Sequence, residues 1–248
     1  MNKLIWATLF LACASTQTPT SRLLAVKSTA MKAGYAADLP ALAGAARDAK
    51  AIAAEDPKLA AMAHYWAGYA LWQRAVNDVN LKLDPAADRE AALAEFDAAI
   101  AAREAFADAH ALAAWLHGWL WAADPANKDA HQKAVMAHIT RARELEPDNP
   151  RVLWEQGYVL QIRDRERGLK ILDDLAKRPF APAPTSLEPD WGVPEALMVL
   201  AYNYLNAQPP DVARAETFAK RALELQPHWQ YVESILMPQI EQAKHQTP

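Results

Sequence analysis

Hydrophobic positions along the chain recur at three- and four-residue steps, and the recurrence repeatedly stops at proline. The pattern is clearest between Ala134 and Leu160, where Val135, Ile139, Ala142 and Leu145 fall on one helical face. Glu146-Pro147-Asp148-Asn149-Pro150 then interrupts it. Pro147 cannot donate a backbone hydrogen bond, and Asp148 or Asn149 can cap the helix that follows. In the second run Val152, Leu153, Gln156, Gly157 and Leu160 share a side. Gly157 has no side chain there, so a neighbouring helix can approach its backbone closely. Neither helix buries its apolar face alone, and the pattern therefore predicts helix–turn–helix pairs packed against one another.

The same reading extends along the chain. Ser21 to Ala36 and Leu39 to Glu55 form an opening hairpin closed by Asp56-Pro57. A helix from Lys58 to about Val79 follows, with Gly68 at its small position, and a loop over Asn80 to Asp88 leads to a helix over Arg89 to Arg103. Phe106 to Ala122 and Ala130 to Leu145 flank a break at Asp124-Pro125-Ala126-Asn127. Gly168 to Lys177, Glu195 to Leu205 and Asp211 to Leu225 are further helices, and His228 to Lys244 is expected to cap the stack despite Pro238. Arg178 to Pro194 holds five prolines and Trp191-Gly192, and reads as a long irregular loop draped over the surface.

The small residue Ala142 five positions before Pro147, followed by Trp154-Glu155-Gln156-Gly157-Tyr158, resembles the junction between two tetratricopeptide repeats (TPR). The resemblance implies an all-α fold: a right-handed α-solenoid of antiparallel helix pairs, about four degenerate repeats with a C-terminal capping helix. The closing prolines 57, 147 and 227 are spaced too irregularly for a strict period of about 34 residues. Insertions are therefore expected near residues 80, 125 and 185.

The first residues carry an address rather than fold. Met1-Asn2-Lys3, the apolar run Leu4 to Leu11 and Ala12-Cys13-Ala14 read as a secretory signal peptide over 1–14, with 15–20 a polar spacer and 21–248 the folded domain. Leu11-Ala12-Cys13 also resembles the end of a bacterial lipobox, with Phe10 departing from it. The expected location is periplasmic or secreted, or membrane-anchored through a lipid on Cys13. As the sole cysteine, Cys13 leaves the mature chain without an internal disulfide.

Composition narrows the chemistry. Hydrophobic residues make up 52 %, glycines number only 7 and the net charge is -4, so helix is favoured and nothing electrostatic points to nucleic acid. GxSxG, Gly-rich phosphate loops and HExxH are absent, and no catalytic residue, metal ligand or cofactor is assigned. His110 and His117, and likewise His131 and His138, lie seven apart, so antiparallel helices would bring them into a cluster. Imidazoles at that spacing are more often structural than metal ligands.

In TPR arrays the A helices line a concave binding surface. Aligning Gly68, Gly157 and Ala201 with the small position of the repeat, and the third unit through Phe106, places Tyr65, Tyr69, Trp72, Trp115, Trp119, Trp154, Tyr158 and Tyr202 on that surface. Trp66, Trp121 and Phe96 are expected in the core. The resemblance thus implies a non-enzymatic scaffold that binds a protein or peptide segment on an aromatic face. The alternative is a periplasmic small-molecule binder or transporter accessory with a closed aromatic cavity.

Overall fold

The computed structural model describes residues 17–245; the stretch 1–14 read as a signal peptide, with Cys13, lies outside them. The described residues are all-α, without a strand. Helix α1 (Pro19–Ala36) pairs with α2 (Leu39–Glu55), α3 (Ala60–Asn80) with α4 (Ala86–Ala102), and α5 (Ala107–Ala123) with α6 (Lys128–Leu145). Next come α7 (Pro150–Arg163) with α8 (Arg165–Ala176) and α9 (Val193–Leu205) with α10 (Val212–Leu225). The last helix, α11 (Met237–Lys244), closes on α10. These make five pairs where about four repeats were expected, because the opening hairpin packs on α3 as a full pair.

Helix starts follow local chemistry. Asp38, Asn149, Asp164 and Asp211 each accept a backbone N–H of the first turn that lacks an intrahelical partner. Pro19, Pro40, Pro150 and Pro194 sit at the first or second helical positions, where their missing N–H costs nothing. Near the end, Pro238 would break an α-helical ladder, and the chain passes through a π-helical turn at Val232–Leu236 just before it.

Odd-numbered helices lie side by side. Helix α1 touches α3, α5 touches α7, and α7 touches α9. Rings of Trp72 and Trp115, with centroids 5.6 Å apart, join α3 to α5. Close approach within pairs depends on three glycines: a Cβ on Gly68 would stand 2.9 Å from Phe96 of α4, one on Gly157 2.7 Å from Leu172 of α8, and one on Gly168 of α8 would collide with the Gln161 backbone nitrogen of α7. One large core runs through the helices, with Trp66, Phe96, Leu42, Leu112 and Leu172 fully enclosed, and a small second cluster of Ala107, Ala111, Ala142 and Val152 joins α5, α6 and α7. Helix α6 is the exception, since Ala142 is its only buried residue.

Candidate functional site

The site grows from α3, whose residues Tyr65, Trp66, Tyr69 and Trp72 present a dense aromatic surface toward the neighbouring odd-numbered helices. That surface is not left open. Residues 178–192 cross it as an irregular strap, exposed or half-buried along most of its length but buried at Pro189, Trp191 and Gly192. Trp191 is 1 % exposed, and its ring packs against Tyr69, Trp72 and Trp154 at centroid distances of 5.9, 5.4 and 5.4 Å. Its indole N–H donates to the Tyr65 hydroxyl at 2.9 Å. The physical reason is that a Trp side chain is too costly to leave in water when an apolar face stands unpaired nearby.

Polar anchors hold the strap in place. The Lys27 ammonium, buried on α1, donates to the carbonyls of Ala183, Ser186 and Glu188 and pairs with Asp190 at 3.0 Å. The Trp66 indole donates to the Leu187 carbonyl at 2.9 Å. At the end of the strap, Gly192 adopts φ +117°, a conformation that L side chains rarely adopt. Its N–H donates to Glu195 Oε2 at 2.6 Å, while the Tyr35 hydroxyl donates to Glu195 Oε1 at 2.5 Å. Burial raises the Tyr35, Tyr65 and Tyr69 hydroxyls well above their usual range.

The eight aromatic residues expected on the concave face therefore divide. Tyr65, Tyr69, Trp72 and Trp154 are sealed beneath the strap. Trp115, Trp119 and Tyr158 remain half-buried and line an open pocket. Tyr202 is exposed and lies outside it. Trp66 and Phe96 are core, whereas Trp121, also expected there, is 37 % exposed at the pocket. Trp121 stands in the last turn of α5, where only the Lys128 side chain at the start of α6 lies over its ring among the described residues.

The pocket is a cavity of about 500 Å³ formed where α3, α5 and α7 end and α6 begins. Val76, Val79, Trp115, Trp119, Met136 and Ile162 give it apolar walls. Gly118 lies on its α5 wall, and a Cβ built there would meet nothing within 4 Å. Unlike Gly68 and Gly157, this glycine is demanded neither by packing nor by a positive φ. Such volume and lining fall in the range of ligand pockets, about 300–1,000 Å³ with mostly apolar walls.

Helix α6 forms one wall through Gln132, Val135 and Met136, and it is seated on α5 by histidines. His110 Nδ1 lies 2.9 Å from His138 Nδ1, and His117 Nδ1 lies 3.0 Å from His131 Nδ1, confirming antiparallel register. The His117 and His138 rings stack at 5.6 Å. Because the Glu104 carbonyl, 3.0 Å from His110 Nε2, can only accept, that nitrogen carries hydrogen and His138 donates to His110 Nδ1. Burial lowers the basicity of His110 and His117 and brings His138 down to about 4. Among the described residues, no three His, Cys, Asp or Glu side chains converge as metal ligands.

Two polar groups are buried near the site. Arg151 pairs with Asp108 at 2.5 Å, and the Asn149 amide donates to the same carboxylate. On α7, Glu155 is 1 % exposed with neither carboxyl oxygen hydrogen-bonded in the described protein, and burial pushes its pKa up to about 8. An isolated Glu within an apolar helix face was the available signal. No described helix is long and apolar enough to cross a membrane. Comparison with known proteins finds no matching family model, curated protein or solved structure.

Proposed function

We propose that this protein is a non-catalytic, TPR-like α-solenoid that holds a small apolar guest in the pocket between α3, α5, α6 and α7. The observation that carries this reading is the cavity itself: three Trp rings and an uncontacted Gly118 around about 500 Å³. A mid-helix glycine costs about 1 kcal/mol relative to alanine, and nothing within the chain requires it at Gly118. Support for the repeat reading comes from the serial helix pairs, the side-by-side odd helices and the close contacts at Gly68 and Gly157. The export-type N-terminus would place this binding in the periplasm or outside the cell.

With the strap covering Tyr65, Tyr69, Trp72 and Trp154, the concave face has little room for a long partner segment, which favours the small guest over the scaffold. The test is titration with the neutral apolar fluorophore N-phenyl-1-naphthylamine. One molecule should bind per chain, and Gly118→Leu, which fills the pocket without a backbone clash, should abolish binding while leaving the helical circular dichroism unchanged. Absence of binding to the wild-type protein would sink the proposal.

Protein docking is the second reading, and one observation favours it. Val79, Trp121, Met136 and Ile162 are 50, 37, 56 and 77 % exposed around the pocket mouth, with Leu81 and Leu83 on the turn beyond α3 also exposed. An apolar cluster of this kind suits a partner surface. Leu81→Glu/Leu83→Glu, at exposed positions outside the pocket lining, should then release a captured partner without affecting fluorophore binding; retention of the partner would count against docking at this mouth.

A further inference from the structure

We infer that the guest is a single-chain amphiphile with an anionic head, its chain in the aromatic pocket and its head at the α6–α7 end beside Arg163 and Lys128. This rests on the pocket reading above and specifies the ligand chemistry. No Asp or Glu lines the cavity, and Arg163 is its only charged lining residue, in a chain with 30 acidic and 26 basic residues. The Lys128 ammonium stands 4.7 Å from the centre of the Trp121 ring, another lining group. Neither cation is in an ion pair among the described residues.

A third cation lies behind the wall. The Arg89 guanidinium sits 5.4 Å from the centre of the Trp119 ring, is only 9 % exposed and has no carboxylate at ion-pair distance. Its Nε is buried without a hydrogen-bond partner in the described protein. A buried charge without a counter-ion is costly, and an anion at the adjoining pocket would offset part of that cost. Against these cations stand the carbonyl ends of α3, α5 and α7, each equivalent to about half a negative charge that fades within a turn. Arg163 on the lining and Lys128 beside Trp121, with the amino end of α6, oppose them.

Size restricts the tail. The cavity of about 500 Å³ lies in the lower half of the range of about 300–1,000 Å³ typical of small-molecule pockets. One chain of about a dozen carbons with a compact head suits a pocket of that size. The pocket's occupant is therefore a free single-chain carboxylate.

The experiment is displacement of bound N-phenyl-1-naphthylamine at pH 7 and low salt by dodecanoate, dodecan-1-ol and dodecyltrimethylammonium, each below its aggregation range. Dodecanoate should displace the probe at a concentration on the order of tenfold lower than the alcohol, as one charge-assisted contact would give. The ammonium compound should be the weakest of the three. In Arg163→Gln/Lys128→Gln, dodecanoate should fall to the level of the alcohol while displacement by the alcohol is unchanged. If the double variant misfolds, Arg163→Gln alone and loss of the preference at high salt provide the same test. Equal displacement by dodecanoate and dodecanol would overturn the anionic head while leaving the pocket reading intact. Failure of the fluorophore itself to bind would overturn both.

Discussion

Trp191→Ala tests whether the strap is part of the core. Truncating a buried Trp removes about 3–5 kcal/mol through lost burial and the cavity left behind. The Trp191 indole also supplies the hydrogen bond to the enclosed Tyr65 hydroxyl, whose oxygen would be left without that donor. An unsatisfied buried polar group costs about 1–3 kcal/mol more. The expected loss of about 4–8 kcal/mol is a large part of the roughly 5–15 kcal/mol that stabilises a typical domain. Surface substitutions usually stay within about 0.5 kcal/mol. Urea unfolding followed by far-ultraviolet circular dichroism avoids the change in Trp fluorescence. With a slope of about 2–3 kcal/mol/M, the midpoint should fall by roughly 2 M. Trp191→Phe keeps a ring but loses the donor, and should recover much of the difference. A Trp191→Ala protein within about 1 kcal/mol of wild type would refute the reasoning and return the strap to the surface.

Gly118→Ala should stabilise the ligand-free protein by about 0.5–1 kcal/mol, because alanine is the better helix former and its methyl meets open space. Gly157→Ala should destabilise it, since the methyl would press on Leu172; thermal melts with the same sign for both would contradict this distinction. Burial holds the Glu155 carboxyl protonated up to about pH 8, whereas the unfolded chain ionises near 4.5. Its stabilising contribution is complete below pH 4.5 and declines as pH rises to 8, by on the order of 3 kcal/mol at pH 7. Glu155→Gln should therefore be more stable than wild type at pH 7 and nearly equal at pH 4, and parallel pH profiles would refute the assignment. The α5–α6 histidines act in the opposite direction: their folded basicity is depressed from 6.5, so the unfolded chain takes up more protons as pH falls from 6.5 toward 4. Stability should decline through that window, and His138→Leu should flatten the acid limb in urea titrations. An unchanged limb would show that the seam does not titrate as a unit.

Local pattern by itself determined the helices and their turns. Three- and four-residue apolar spacing, proline stops and Asp or Asn caps are interactions between near neighbours, so the pairs around Pro57, Pro147 and Pro227 were legible residue by residue. Gly68 and Gly157 were legible too, because absence of a side chain has one clear use where helices meet. The histidine seam followed from seven-residue spacing on two facing helices. Only the tertiary structure decided which aromatic rings remain accessible. Trp191 lies in a proline-rich stretch without periodicity, more than 100 residues along the chain from the Tyr65 hydroxyl it meets, and no local pattern records that contact. Once it seats, Tyr65, Tyr69, Trp72 and Trp154 become interior, while Trp115, Trp119 and Tyr158 keep a pocket. Trp121 and Gly118 show the same division: spacing puts them on a helix, but burial depends on whether another element arrives to cover them. Helix formation is set by neighbours in sequence, whereas exposure is set by long-range packing that competes for the same apolar face.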